Sequence, residues 1–266
     1  MAVPLHFTKI EAQGGDPGLL PVVMAHGLLG QARNFGTLAK GFAVSRDVCA
    51  VDMRNHGDSP WHDVMDYPAM AGDLAGFIAA ETGGRAVVFG HSMGGKAAMR
   101  LALDAPERVA ALIVADIAPV AYTHSHLDQI DALRGLDLDT ITRRSEADAA
   151  LKAGVPDATM RAFLLQNLRI TGEGITRRSN LDVLAGAMDT LVGWADPGTA
   201  RYDGPALFIG GGNSAYIRPG HHDAIRALFP HAVVEIVPDA GHWIHAEKPG
   251  DVLALSHAFL AEHSGS

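Results

Sequence analysis

A single cysteine stands among 266 residues. Cys49 sits in the apolar run Val48-Cys49-Ala50-Val51. An internal disulfide is therefore excluded, and a buried, inert thiol is expected. Basic residues are in the minority, 21 Lys and Arg against 30 Asp and Glu, for a net charge of −9. That balance argues against a nucleic-acid surface, which needs a clustered basic face. No stretch reaches the about 18 unbroken apolar residues of a transmembrane helix. Met1 to His6 show no basic segment leading into an apolar core, so no secretory signal is read and a cytoplasmic location is expected. Internal repeats and low-complexity tracts are missing. The tail Ser264-Gly265-Ser266 is expected to fray.

What is present is globular: 48% hydrophobic and 19% charged residues, in a chain long enough for one large domain, with or without an insert. Short apolar runs alternate with amphipathic stretches, which predicts a mostly parallel sheet flanked by helices on both faces. Strands are expected at Leu5–Ala12, Pro21–Ala25, Val48–Val51, Arg85–Phe89, Val109–Ala115, Pro205–Ile209 and Ala232–Val237. Helices are expected near Asn34–Phe42, Tyr67–Glu81, Gly95–Leu103 and Pro249–Glu262. Most of the strands are wholly apolar, as a sheet covered on both faces requires. Residues 119–200 break the rhythm and carry no strand-like run. Ser145 with Asp148 resembles a capping box. Met160, Phe163, Leu164 and Leu168 share one helical face, as do Leu181, Leu184, Met188 and Leu191. The division expected is an α/β core in two parts, 1–118 and 201–266, with a helical cap at 119–200 over the strand ends, where ligands bind open parallel sheets.

The chemistry concentrates in Gly90-His91-Ser92-Met93-Gly94, between an apolar strand and a helix. A G-x-S-x-G pattern at such a junction is a nucleophile elbow, with small neighbours because the turn is sharp. The alternative is an ordinary glycine turn carrying a passive serine. A serine hydroxyl needs a base within hydrogen-bond reach, and the base needs a group to orient it. His242, in Asp239-Ala240-Gly241-His242-Trp243 after the last strand, is the expected base. His91 lies inside the elbow and is expected to pack beside the sheet. The loop Gly210-Gly211-Gly212-Asn213-Ser214-Ala215 holds no carboxylate, whereas Asp116 directly follows the apolar run Leu112–Ala115. A charge there is costly unless paired, so Asp116 is expected to orient His242; a helix cap or loop brace is the other reading. Two aligned N–H donors are needed for the oxyanion. Met93, after the nucleophile, supplies one, and Leu28, in His26-Gly27-Leu28-Leu29-Gly30, supplies the other.

His26-Gly27, Asp52-x-Arg54-x-x-Gly57-x-Ser59, the Gly-His-Ser-Met-Gly elbow and Gly241-His242 together resemble the α/β-hydrolase superfamily from about Pro21 to Leu260. Asp52-Met53-Arg54-Asn55-His56-Gly57, the elbow extended to Gly95-Lys96, and Asp116-Ile117-Ala118-Pro119 are similar to the YbfF-like esterases and the mitochondrial α/β-hydrolase-domain relatives. The resemblance implies an α/β-hydrolase fold with a helical cap and an acid at Asp116. It also implies that Ser214 supports the histidine. Ile175-Thr176-Arg177, read as a turn, departs from that group's aromatic pattern.

The expectation is a cofactor-independent serine hydrolase acting on carboxylic esters or thioesters of small to medium acyl substrates, with Ser92, His242 and Asp116 as nucleophile, base and orienting acid. Tyr122, Trp194 and Tyr216 are candidates for the pocket wall, with Leu28, Met160, Phe163 and Leu184 beside them. A perhydrolase or C–C bond hydrolase would use the same residues, and a ligand-binding protein could keep the fold without the activity. Serine at 92 disfavours dehalogenation and epoxide opening, which need a carboxylate there. His221-His222 and His124-x-His126 are expected to face solvent, and no metal is expected.

Overall fold

The computed structural model describes residues 2–14, 18–172 and 174–263. The tail expected to fray lies outside the described residues. In chain order the elements are β1 (Phe7–Ile10), β2 (Val22–Ala25), α1 (Gly36–Phe42), β3 (Val48–Val51), α2 (Tyr67–Glu81), β4 (Ala86–His91), α3 (Met93–Asp104) and β5 (Val109–Ala115). Then follow α4 (Leu127–Arg134), α5 (Arg144–Leu151), α6 (Ala158–Leu164), β6 (Leu168–Thr171), β7 (Gly174–Arg177), α7 (Leu181–Gly186) and α8 (Met188–Val192). The chain closes with β8 (Ala206–Gly211), α9 (His222–Leu228), β9 (Ala232–Val237), α10 (Ile244–Glu247) and α11 (Pro249–His263).

Seven strands form one sheet in the order β1-β3-β2-β4-β5-β8-β9. Only the β1–β3 pair is antiparallel; every other pairing is parallel. Side chains alternate across the sheet, and each face is covered. Val23, Val88, Leu112 and Phe208 pack on one face with α2 and α3, while Val22, Phe89, Ile113 and Leu207 pack on the other with α1 and α11. Helix α2 starts where Asp66 accepts a hydrogen bond from the Ala69 N–H at 2.8 Å, with Pro68 in its first turn. That proline lacks the N–H a helix start leaves unused. In register, Ala25 pairs Gly90, His91 pairs Ala115, and Ala115 pairs Ile209. The carboxyl ends of β2, β4, β5 and β8 therefore finish side by side.

The chain between β5 and β8 is not wholly helical. β6 and β7 form an antiparallel hairpin, with Leu168 opposite Arg177. Leu168 is thus a strand residue rather than the end of a helical face, and Ile175–Arg177 is strand rather than turn. Its strands alternate buried and exposed residues over four positions each, so they present no continuous apolar run. Ser145 is not a cap. Helix α5 begins at Arg144, and Glu146 accepts from the Thr142 and Arg143 N–H groups at 2.8 and 3.2 Å, while Asp148 pairs with Arg161. The segment is tied down on the strand-end loops. Asn167 donates to the Leu29 carbonyl at 2.9 Å, Gln31 to the Gln166 carbonyl at 2.7 Å, and Tyr67 to the Leu191 carbonyl at 2.5 Å. Asp58 pairs with Arg169 and Arg178.

Beneath the loop after β3, Arg54 and Asp73 form a fork: Nε to Oδ2 at 2.6 Å and one terminal nitrogen to Oδ1 at 2.7 Å. Both residues are fully buried. Removing one partner strands the other charge away from water. Asp73→Ala is expected to cost about 3–5 kcal/mol, read as a lowered midpoint in urea denaturation.

Candidate active site

Ser92 joins β4 to α3 with φ 53° and ψ −118°, a backbone region that costs a non-glycine residue about 1–3 kcal/mol. The turn is held by close approach. A Cβ on Gly94 would lie 2.2 Å from the Ala25 carbonyl oxygen, and one on Gly90 2.4 Å from the Gly94 oxygen. The Ser92 N–H donates to the Ala115 carbonyl at 3.1 Å. These contacts lock the serine to the ends of β2 and β5.

Asp116 leaves β5 with φ 50° and no exposed surface. Both carboxylate oxygens are engaged. Oδ1 accepts the Gly211 N–H at 2.9 Å, and Oδ2 accepts the Ser214 hydroxyl at 2.5 Å. The same Oδ2 lies 2.7 Å from His242 Nδ1, and His242 Nε2 lies 3.1 Å from Ser92 Oγ. Ser92, His242, Asp116 and Ser214, separated by up to 150 positions, are therefore joined in one hydrogen-bonded chain. An imidazole donating to a buried carboxylate through Nδ1 presents Nε2 as an acceptor toward the serine. His242 is held further by the His91 ring, whose Nε2 donates to the His242 carbonyl at 2.9 Å, and by Tyr216, whose ring stacks on it at 4.0 Å and 22°.

The loop carrying Leu28 is braced by two histidines missed in the sequence reading as positioning groups. His56 Nδ1 donates to the Arg54 carbonyl at 2.9 Å, and its Nε2 accepts the Leu29 N–H at 3.1 Å. His26 does the same between the Gly27 carbonyl, 2.8 Å, and the Met53 N–H, 2.9 Å. Each ring must be neutral to accept through Nε2. Burial supplies the reason, pushing His56 down to about 3 and lowering His26 as well. Met93 opens α3, so its N–H has no acceptor within the helix.

The family model described as alpha/beta hydrolase fold matches residues 21–249. The chain belongs to the α/β-hydrolase family. It is 41% identical over 267 residues to the sn-1-specific diacylglycerol lipase ABHD11 of Mus musculus, covering 97% of this chain and 86% of the mouse protein. It is 39% identical over 241 residues to Esterase YbfF of Escherichia coli (strain K12), covering 90% of this chain and 92% of that one. Among solved structures it is similar to a marine microorganism esterase, with a TM-score of 0.91 and 32% identity over 97% of this chain and all of the other.

Two cavities of this α/β hydrolase reach Ser92. The larger is walled by Leu28, Phe35, Met160, Phe163 and Trp243 and includes His242. The smaller is lined by Leu28, Met93, Tyr122 and Tyr216, with Lys96, His124 and His126. Trp194 lines neither; it packs against Tyr67 at 6.3 Å between ring centroids, joining the insert to α2. Leu184 is wholly buried in the core instead. His124 and His126 do not simply face solvent: both approach the Tyr216 hydroxyl, at 2.5 and 3.4 Å. Tyr67 and His245 were not singled out from sequence, and Lys96 only as part of the extended elbow pattern; Lys96 had a further signal, a charge on the apolar first turns of α3. Among the described residues one group of three has metal-ligand spacing, His6, Asp52 and Asp58. Its oxygens are already taken, Asp52 by the Ala32 and Asp58 N–H groups and Asp58 by two arginines. Cys49 is buried, and burial pushes its thiol up to about 11.

Several imidazoles here are held neutral by burial: His56 at about 3, His126 and His245 at about 4, and His91 well below its ordinary value of 6.5. Below pH 6.5 the unfolded chain binds protons that the folded state refuses, so stability is full above that value and falls as pH drops toward 4. Each such histidine removes up to about 1.4 kcal/mol per pH unit in that window. Urea midpoints at pH 7.5 and 5 are expected to differ markedly, and equal midpoints would show that the rings are not buried neutral.

Proposed function

We propose that this hydrolase cleaves carboxylic esters or thioesters through an acyl-Ser92 intermediate, without a cofactor. The observation that carries this reading is the unbroken chain from Ser92 Oγ through His242 to Asp116, with links of 3.1 and 2.7 Å. Ser92 attacks the acyl carbonyl while His242 Nε2 takes its proton. The oxyanion forms against the N–H groups of Leu28 and Met93, one from each side of the strand ends. His242 then gives the proton to the departing alcohol or thiol, and afterwards activates the water that releases the acid. Asp116 keeps Nδ1 protonated and stabilises the imidazolium, without taking its proton. Ser214 anchors the carboxylate oxygen that faces His242. Residues 119–200 act as a cap that narrows access to Ser92 and limits water. Relatives named as an esterase and as a diacylglycerol lipase support ester bonds as the target.

The experiment is intact-protein mass after brief exposure to a fluorophosphonate, beside hydrolysis of nitrophenyl esters of graded chain length. One adduct is expected on the unaltered protein and none on Ser92→Ala, with turnover lowered by roughly three orders of magnitude or more. Ser92→Ala that still turns over esters at a comparable rate would overturn the assignment. Ser214→Ala is expected to lower kcat roughly tenfold with KM little changed, since it removes one charge-assisted hydrogen bond from Asp116 and none from substrate.

A further inference from the structure

Lys96 lies one helical turn beyond Ser92, with 1% of its surface exposed. Its ammonium donates to the Val192 and Gly193 carbonyls at 2.9 and 2.6 Å. The Tyr122 and Tyr67 ring centroids lie 4.9 and 5.6 Å from Nζ. Among the described residues no carboxylate pairs with it, and burial draws its pKa down to about 7. A buried cation without an acid is costly, and an ammonium has a third hydrogen to place.

Lys96 borders the smaller cavity, together with Ser92 and Met93. No aspartate or glutamate lines that cavity, while His124, His126 and Lys96 do. In a protein of net charge −9, an anionic group gains nothing from the overall field. A local cation next to the nucleophile reverses that. The two cavities also divide the substrate. The leaving group must sit where His242 can protonate it, and His242 borders the larger, apolar cavity and not the smaller one. The acyl group then extends toward Lys96.

We propose that the smaller cavity is a subsite for a carboxylate carried on the acyl chain, with Lys96 as its counter-ion. The preferred substrates are then half-esters or half-thioesters of short dicarboxylic acids. The inference rests on the esterase reading for its chemistry, but the anion site can be tested without it. An arriving carboxylate pairs with Lys96 and keeps it protonated, which offsets the cost of its burial.

Two measurements decide it, each on the unaltered protein, Lys96→Met, Lys96→Gln and Lys96→Arg. Calorimetric titration with glutarate is expected to show binding that weakens at least roughly tenfold in both neutral variants and survives in Lys96→Arg. The second is the ratio of kcat/KM for nitrophenyl esters ending in a carboxylate over methyl-ended esters of equal length. That ratio is expected to exceed one and to collapse in the neutral variants. If Lys96 only ties down the segment at Val192, both esters lose alike and the ratio stays put, which would overturn the proposal. So would glutarate that binds neither the unaltered protein nor any variant, or binds Lys96→Met equally well. If Ser92 takes no fluorophosphonate and neither ester turns over, the esterase reading fails, while the glutarate titration still decides the subsite.

Discussion

A carboxylate with no contact with water is stable only when both its oxygens are hydrogen-bonded, and Asp116 meets that condition by drawing donors from separate parts of the chain. Gly211 comes from the end of β8, Ser214 from the loop beyond it, and His242 from the loop after β9. The main chain of Asp116 is fastened as well, its N–H donating to the Ile209 carbonyl at 2.8 Å. One side chain thus fixes the spacing of three strand ends. The left-handed backbone at Asp116, and the one at Ser92, are sustained by parallel pairing that places both residues at the same height. Without that register neither the strain nor the buried charge would be compensated.

Around this anion the protein arranges neutral imidazoles rather than counter-charges. His26, His56, His91 and His245 are buried, and burial lowers the pKa of each. A neutral ring offers one donor and one acceptor, so His26 and His56 can each bind an N–H on one side and a carbonyl on the other. That bridges the loop after β2 to the loop after β3, and neither ring brings a charge of its own. A lysine or arginine there could donate only. Two full buried charges sit elsewhere: Arg54 with Asp73 behind the loop, and Lys96 within reach of the Val192 and Gly193 carbonyls.

Much of the fold is legible because the sheet is covered on both faces. Strands such as Val109–Ala115 are then apolar throughout and stand out without any alternation. The hairpin Leu168–Thr171 with Gly174–Arg177 obeys the opposite pattern, half-exposed and only four residues a strand, and it merges with its surroundings. Trp194 shows a different limit. An aromatic residue in the insert suits a pocket wall or a packing seam equally well, and only its contact with Tyr67 decides between them.

The sequence by itself determined the strand–turn–helix around Ser92, because glycines at 90 and 94 answer a local steric demand. It also placed Asp116 at a strand end, since a charge directly after seven apolar residues must be accounted for. His242 was legible as well, from its place after the last strand; tertiary structure alone decided which of the other histidines would be bound neutral in the core. It alone decided that Lys96 would be enclosed near Ser92 with no acid beside it among the described residues. Local patterns record the conformation a segment prefers. Protonation, pairing and access depend on groups brought together from positions up to 150 residues apart, and those relations exist only once the chain has folded.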